Sequence, residues 1–179
     1  MTEKSLAHAL LTKLEQHITT HSFGESPTEL YEPITYIMSL GGKRIRPLLS
    51  LLAYGIYGKN PEEILSQAAA VEVFHNFTLM HDDIMDNAPL RRGKATVHEK
   101  WNANIAILSG DVMLVRAYDL LLGTDPKLLS EVIRLFNKTA AEVCEGQQFD
   151  MNFEAYETVH EGDYINMIRL KTAVLLGFA

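Results

Sequence analysis

The chain has 179 residues, which is enough for a single domain with a substantial hydrophobic core. Its content of 47% apolar and 22% charged residues is typical of a soluble globular protein, and its net charge of −7 excludes bulk electrostatic binding of nucleic acid. The single cysteine, Cys144, excludes an internal disulfide framework and favours a reducing, cytoplasmic location, where we expect it to serve in packing.

The first part of the chain is predicted to form three helices and no strand. Leucines at helical spacing predict the first helix at about residues 3–20. A capping box, SPTE at residues 26–29, opens the second helix, with Pro27 at its first position, and this helix runs to about residue 40. The third is predicted at residues 44–57. No apolar run reaches the ~18 residues that a membrane helix needs, so we expect no stable membrane insertion.

The fourth predicted helix is the most apolar and is expected to be central and buried. It begins after Asn60, runs over residues 61–85, and has the interior ILSQAAAVEVFHNFTLM. A loop with Pro89 and Gly93 follows it at residues 87–95. The remaining three helices are predicted from their start signals. Thr96 with Glu99 opens a helix that ends near Gly123, and Asp125-Pro126 opens a helix to about Glu154. Thr158 with Glu161 opens the last helix.

The last predicted helix has no stop signal, because RLKTAVLLGFA is apolar up to the final residue. We therefore expect residues 1–179 to form a single all-helical domain that is the N-terminal part of a longer one. The predicted fold class is all-α, an antiparallel helix bundle around a central helix that is incomplete at its C-terminus.

Three aspartates end the fourth helix, and two arginines follow after a short break. HNFTLMHDDIMDNAPLRR contains Asp82, Asp83 and Asp86, and then Arg91 and Arg92. Asp82 and Asp86 lie one turn apart on one helical face, where like charges repel. A hard divalent cation with oxygen ligands would neutralise them, and the forked donors of arginine suit a diphosphate. The alternative is a solvated acidic helix end followed by a basic loop.

A second basic cluster and one histidine also indicate a small anionic ligand. In GGKRIRP, residues 41–47, Gly42 lets the backbone turn, and Lys43 and Arg46 lie beside a helix N-terminus, where anions are favoured. His75 precedes Asp82 by seven residues and so shares its helical face to within about 20°, which favours a further anion contact. The alternatives are solvated basic residues after a glycine helix end and a hydrogen-bonded core histidine.

Two weaker pairs lie later in the chain. Gln147 and Asp150 are three residues apart on the long helix and could share a face toward the site. Lys171 and Thr172 interrupt an apolar helix, where the lysine could simply extend its amine to solvent.

The order of these motifs, GGKRIRP, His75, DDIMD-(x)4-RR, GQ-(x)2-D and KT, resembles the trans-isoprenyl diphosphate synthases of the farnesyl and geranylgeranyl type. The resemblance runs from about Gly41 to the last residue, and its most specific part is DDxxD-(x)4-RRG. It implies a Mg²⁺-dependent prenyltransferase that works as a homodimer. Such an enzyme ionises an allylic diphosphate, and the double bond of isopentenyl diphosphate attacks the resulting cation.

The resemblance also implies a role for each residue. Asp82 and Asp86 would bind Mg²⁺, with Asp83 in support. Isopentenyl diphosphate would contact Gly42, Lys43, Arg46, His75 and Arg92. The allylic diphosphate would be held by Arg91 and Lys171. The allylic cation would be faced by Thr172 and Gln147, with Asp150 supporting that region. The three aspartates and the residues around the allylic substrate would thus be the catalytic ones.

Product length in the resembled family depends on residues just before the first aspartate-rich motif, here Phe77 and Thr78. One aromatic residue at the first position and none at the second resembles the enzymes that make the twenty-carbon geranylgeranyl product. Helical geometry alone does not make Phe77 the floor of a pocket, because it lies about 140° round the helix from Asp82. A shorter farnesyl product stays open.

The sequence departs from the resembled family in one respect. The family carries a second aspartate-rich motif on a later helix, and these 179 residues contain none. We therefore expect a truncated synthase that is inactive or nearly so alone. One alternative is a terpene cyclase, although the cluster at Lys43 and Arg46 favours two diphosphate sites. The other is a non-catalytic helical subunit of a prenyltransferase complex, which would be free to lose the intact DDIMD motif.

Overall fold

The computed structural model describes residues 3–179, with side chains from Leu6 onward. By its internal contacts the chain falls into an N-terminal unit that ends at Gly123 and a C-terminal unit, Thr124–Ala179. Both units are helical, which confirms the all-α prediction, whereas the prediction of one domain over residues 1–179 stays a prediction. None of the helices within residues 3–179 combines the length and the apolarity that crossing a bilayer requires.

The N-terminal unit contains six α-helices, one 3-10 turn and one small β-ladder in its described part. The elements are α1 (Glu3–Thr20), α2 (Thr28–Ser39), α3 (Ile45–Ile56), a 3-10 turn (Pro61–Ile64), α4 (Leu65–Met85), β1 (Leu90–Arg91), β2 (Lys94–Ala95), α5 (Val97–Lys100) and α6 (Ala103–Leu121). The C-terminal unit contains α7 (Pro126–Phe153), α8 (Glu161–Ile168), a π-turn (Arg169–Ala173) and α9 (Val174–Phe178).

Helix α4 is the centre of the N-terminal unit, as its apolar sequence predicts. It contacts α1, α2, α3, α5 and α6. The alanines at 68–70 are buried and let neighbouring helices approach closely, while Phe74 and Met80 fill the space between them. Burial of each large side chain contributes about 1.5–3 kcal/mol, so this packing fixes the orientation of the whole helix. The polar side chains of α4 are therefore held in defined directions.

At two of the predicted helix starts the capping box does not form. The predicted box at residues 26–29 does not form, since α2 begins at Thr28 and Pro27 precedes it without a side-chain cap. The hydroxyl of Thr96 donates to the carbonyl of Ala88, 2.7 Å away, instead of capping a helix. The helix predicted over residues 96–123 is broken at Trp101. A separate helix, α6, begins after Asn102, whose side chain accepts from the amide of Ile105.

Other start signals act as predicted. The side chain of Asn60 accepts from the amide of Glu62, although the first turn is 3-10 before α4 begins. Asp125 caps α7 by accepting from the amide of Lys127 at 2.9 Å. The residue before α8 is His160 rather than Thr158, and Cys144 is exposed, so the expectation that it serves in packing is wrong.

The loop at residues 87–95 contains a two-residue antiparallel ladder that the sequence did not predict. Leu90 pairs with Ala95 and Arg91 with Lys94. Arg92 and Gly93 form the turn with φ of 53° and 75°, the positive values that a two-residue hairpin turn requires. The prediction failed here because an arginine at the first of these positions gives no turn signal. The hairpin fixes where the two arginines point.

Candidate functional site

A cavity of about 490 Å³ in the N-terminal unit brings together the basic residues that the sequence singled out. Its lining consists of Gly42, Lys43, Arg44, Ile45, Arg46, Glu72, His75 and Arg92. These residues come from the turn before α3, from the middle of α4 and from the tip of the hairpin. All five residues that were expected to contact isopentenyl diphosphate are among them.

The turn before α3 and the hairpin tip meet at Gly42. Gly41 and Gly42 have φ of 74° and 155°, which favour glycine. A Cβ on Gly42 would lie 3.1 Å from both terminal nitrogens of Arg92, so the absence of a side chain lets this guanidinium rest on the backbone. Arg46 lies one residue after the start of α3, and Lys43 is exposed at the mouth of the cavity. The turn and the hairpin tip together therefore present three cationic groups to one space.

The imidazole of His75 is neutral in this surrounding. Arg46 Nη1 lies 3.1 Å from His75 Nε2, and because a guanidinium only donates, this nitrogen must accept and the proton is on Nδ1. Burial, followed by the charges of Arg46 and Arg92, lowers the pKa of His75 from 6.5 to about 3. His75 thus orients Arg46 and adds no charge. Arg46 Nε is buried without a hydrogen-bond partner among the described residues, so it remains available as a donor to a ligand.

Arg44 differs from its basic neighbours, which the sequence did not reveal. It is 3% exposed, and its guanidinium donates to Glu15 on α1 and to Glu72 on α4, each at 2.7 Å. Glu72 is itself buried and accepts from the side-chain amide of Asn76. A glutamate within the apolar run of α4 was the available signal, since a buried carboxylate needs a partner. The cluster at residues 43–46 therefore contains one internal ion pair and two ligand-facing cations.

The three aspartates at the end of α4 have different surroundings. Asp83 is buried and binds Arg91 in a forked arrangement, with N–O distances of 2.8 to 3.0 Å. Asp82 is partly buried, with its carboxylate 3.8 Å from Arg91 Nη2, and Asp86 is exposed at the helix end. The hydrogen bonds that Arg91 donates to Asp83 raise the pKa of Arg91, whereas burial lowers it by a smaller amount. Asp83 is thus committed to positioning the arginine.

The donor set of Asp82 and Asp86 is suited to a magnesium ion. Both side chains offer only oxygen, and Mg²⁺ is commonly bound by one or two carboxylates together with substrate phosphates rather than by a complete protein cage. No group of three or more metal-binding side chains occurs in the described part of the chain. The residues present therefore fit a metal that is shared with a phosphate ligand.

The two residues expected to govern product length lie on the preceding turn of α4. The ring of Phe77 is half-buried and makes an edge contact with His81, with ring centroids 4.8 Å apart. His81 also packs on Gly110 of α6, where a Cβ would come within 2.3 Å of its Nε2. The hydroxyl of Thr78 donates to the carbonyl of His75 at 2.8 Å. The role of Phe77 and Thr78 in product length stays a prediction.

The C-terminal unit holds the other predicted residues, and it brings two of them together. Lys171 Nζ lies 2.6 Å from Asp150 Oδ2. Lys171 and the exposed Thr172 belong to the π-turn, a helical irregularity that often marks functional positions. Gln147 Nε2 is buried without a hydrogen-bond partner within residues 3–179. Gly146 was not singled out, yet a Cβ there would lie 2.2 Å from the backbone nitrogen of Lys171.

Known proteins resemble this chain in sequence and in structure. The family model described as Polyprenyl synthetase matches residues 27–179. The geranylgeranyl diphosphate synthase of Methanosarcina mazei is 43% identical over 155 residues, which are 86% of this chain and 48% of that protein. The short chain isoprenyl diphosphate synthase of Methanocaldococcus jannaschii is 42% identical over 168 residues, which are 93% of this chain and 50% of that protein.

Among solved structures, a crystal structure of a geranylgeranyl pyrophosphate synthase matches with a TM-score of 0.90 and 49% identity, covering 99% of this chain and 53% of that one. The chain spans about half the length of the curated relatives it matches.

Proposed function

Because the chain belongs to the polyprenyl synthetase family, we propose that it provides the isopentenyl diphosphate site and the first aspartate-rich motif of a short-chain prenyl diphosphate synthase of the geranylgeranyl type. The observation that carries this proposal is the cavity of about 490 Å³, in which Arg92 faces the same space as Lys43 and Arg46 although it lies far from them in sequence. Three cations around a neutral histidine suit the charge and the size of a diphosphate group.

In the proposed mechanism, the residues of the cavity bind and orient isopentenyl diphosphate. Lys43 acts as a point charge at the mouth, while Arg46 and Arg92 offer forked donors. His75 accepts from Arg46 and so holds that guanidinium in place without repelling it. The diphosphate is bound through its charged end, which leaves the isopentenyl double bond to be aligned with the allylic carbon.

The allylic diphosphate is proposed to bind at the end of α4. Asp82 and Asp86 would hold Mg²⁺, which when bound offsets the negative charge on the departing diphosphate. Asp83 fixes Arg91 through Nε and Nη2, so that Nη1 of this arginine can donate to the same diphosphate. For the C-terminal unit by itself, we propose that Asp150 holds Lys171, that Lys171 binds a diphosphate, and that Thr172 and Gln147 face an allylic cation.

The twenty-carbon product and a cytoplasmic homodimer complete the proposal. The product rests on the likeness to geranylgeranyl synthases and on Phe77 and Thr78. Support for a dimer comes from α6, which exposes Ile107, Leu108 and Val115 to 42%, 57% and 57%. Large apolar side chains in such a row are typical of a protein interface.

A binding experiment tests the proposed site without requiring turnover. Calorimetric titration of the chain with isopentenyl diphosphate should show one site, and Lys43→Ala should weaken it about tenfold by removing one charge-assisted contact. Lys59→Ala, which removes an exposed lysine away from the cavity, is the matched control and should bind like the native chain. Absence of binding by the native chain would refute the proposal.

An elongation assay tests the activity itself. Labelled isopentenyl diphosphate, farnesyl diphosphate and Mg²⁺ should give little or no geranylgeranyl diphosphate with these 179 residues alone, because they carry a single aspartate-rich motif. Robust elongation would contradict the expected inactivity. Conversion of the allylic diphosphate without isopentenyl diphosphate would instead favour a terpene cyclase, and co-purification with a different chain would favour a regulatory subunit.

A further inference from the structure

We infer that Arg44 is a positioning residue for the diphosphate site, which holds Lys43 and Arg46 in the cavity by tying the turn between them to three helices. This inference rests on the proposed function, because it concerns the same ligand. Arg44 itself need not contact the ligand, since its donors are directed to protein acceptors.

The contacts of Arg44 reach every helix around the turn. Its Nε donates to Glu15 of α1 and its Nη1 to Glu72 of α4, both at 2.7 Å, and its Nη2 donates to the carbonyl of Met38 in α2 at 2.9 Å. The side chains of Arg44 and Glu72 are 2% and 4% exposed, so the bonds to Glu72 and Met38 form in a surrounding of low dielectric, whereas Glu15 is half-exposed. A planar guanidinium with three such acceptors can adopt one orientation only.

The backbone of the turn depends on this anchor. Arg44 has φ of 47° and ψ of 36°, in the left-handed region that residues other than glycine rarely adopt. Such a conformation costs about 1–3 kcal/mol and persists only where the surroundings enforce it. Arg92, which lines the same cavity, is also in this region, with φ of 53°.

The position of Arg44 in the sequence makes it effective. Lys43 precedes it and Arg46 follows two residues later, so a rotation at Arg44 moves both ligand-facing cations together. Arg46 would also lose its contact with His75. We therefore expect removal of the anchor to weaken diphosphate binding even where the fold is retained.

The test uses a double variant that is designed to fold. Arg44→Met alone leaves Glu72 buried and unpaired, which can unfold the protein, whereas Arg44→Met with Glu72→Met replaces the buried pair by apolar groups of similar length. The amide of Asn76 keeps its bond to the main-chain carbonyl of residue 72, while the carbonyl of Met38 and the half-exposed carboxylate of Glu15 lose the donors of Arg44. Arg134→Met, at an exposed arginine of α7, is the matched control.

Inorganic diphosphate is the probe, and its binding to the full chain is measured by calorimetry beside the melting temperature. We expect the double variant to melt near the native temperature and to bind diphosphate about tenfold more weakly, while the Arg134→Met control binds as the native chain does. The double variant removes one positive and one negative charge from the cavity lining, so its net charge is unchanged and weaker binding reports the lost anchor rather than lost charge.

A nuclear magnetic resonance titration of His75 supplies a readout that general destabilisation does not move. If Arg46 leaves His75 in the double variant, the pKa of this histidine rises above about 3, because burial and then the charge of Arg46 are the largest causes of its lowering; loss of the Arg44 charge, the smallest of these causes, gives a smaller rise by itself. Unchanged or tighter diphosphate binding, together with an unchanged His75, would overturn the inference and leave the proposed function standing. No binding of diphosphate or isopentenyl diphosphate by the native chain would overturn both.

Discussion

Replacing Gly146 with alanine tests whether the C-terminal unit is built around a backbone contact between α7 and the π-turn. A Cβ at this position would lie 2.2 Å from the nitrogen of Lys171 and 2.7 Å from the carbonyl carbon of Leu170. These are backbone atoms, which cannot rotate away as a side chain can. The π-turn must therefore move by about 1 Å before the contact becomes tolerable.

The energetic expectation follows from two opposing effects. Overpacking costs typically about 1–3 kcal/mol, and the rigidity of the contact places this site at the upper end. Alanine gains about 1 kcal/mol over glycine within a helix, so the net loss of unfolding free energy is about 2 kcal/mol. Gly177→Ala is the matched control, because nothing lies within 4 Å of its Cβ. It should be neutral or stabilising by up to ~1 kcal/mol.

The assay is urea-induced unfolding followed by circular dichroism, with hydrogen exchange of the amides in Arg169–Ala173 as the local readout. Gly146→Ala should shift the unfolding midpoint down and speed exchange in the π-turn, while Gly177→Ala should do neither. If Gly146→Ala is as stable as Gly177→Ala and exchange is unchanged, the close approach does not determine the position of Lys171, and the reasoning fails.

Three further predictions concern the N-terminal unit. Asp83→Asn should lower the unfolding free energy by about 1.5–3 kcal/mol, because it replaces the buried carboxylate that accepts the forked bonds of Arg91, whereas the exposed Asp86→Asn should chiefly weaken Mg²⁺-dependent diphosphate binding in calorimetry. Lowering the pH from 7 to 5 should reduce the unfolding free energy by about 2 kcal/mol through His75. The pKa of this histidine is about 3 in the folded chain and about 6.5 in the unfolded chain, so only the unfolded chain takes up the proton in this range. Urea titrations of His75→Gln should lack this pH dependence. Asn102→Ala should cost about 1 kcal/mol as a lost cap, whereas Glu99→Ala should leave the urea midpoint unchanged, and equal effects would restore the capping box expected there.

The sequence predicted the elements that depend on period and on strong local signals. Helix α4 has a long apolar run, and the 3-10 turn that leads into it is capped by Asn60. Both features can be recognised without tertiary information. The cap at Asp125 is equally local. At Thr96 the local signal was misleading, because its hydroxyl is needed 2.7 Å away at the carbonyl of Ala88, where the loop after α4 turns. A threonine has one hydroxyl to donate, and here it donates to the part-buried carbonyl of Ala88.

For the candidate site, residue types were readable and their division of labour was not. Lys43, Arg44 and Arg46 look alike in a sequence, since each is a basic residue in a polar turn. Only the partner distinguishes them, and the partners of Arg44 lie 28 and 29 residues away in the chain. The same holds for the aspartates, where Asp83 points inward to Arg91 because α4 packs its other face on α6. Which of several like residues is internal depends on packing, not on spacing.

The charge distribution of the cavity is itself an argument for an anionic ligand. The chain as a whole carries −7, so a local excess of positive charge does not serve solubility. Burial lowers the pKa of both Arg46 and Arg92, and the nearby carboxylate of Glu72 is already bound to Arg44. The lowered pKa of His75 keeps its imidazole neutral, so it adds no further repulsion to the two arginines. The remaining repulsion between Arg46 and Arg92 destabilises the free protein and is relieved when an anion enters. Diphosphate should therefore raise the unfolding free energy of the chain, and the increase should grow with the affinity of the site.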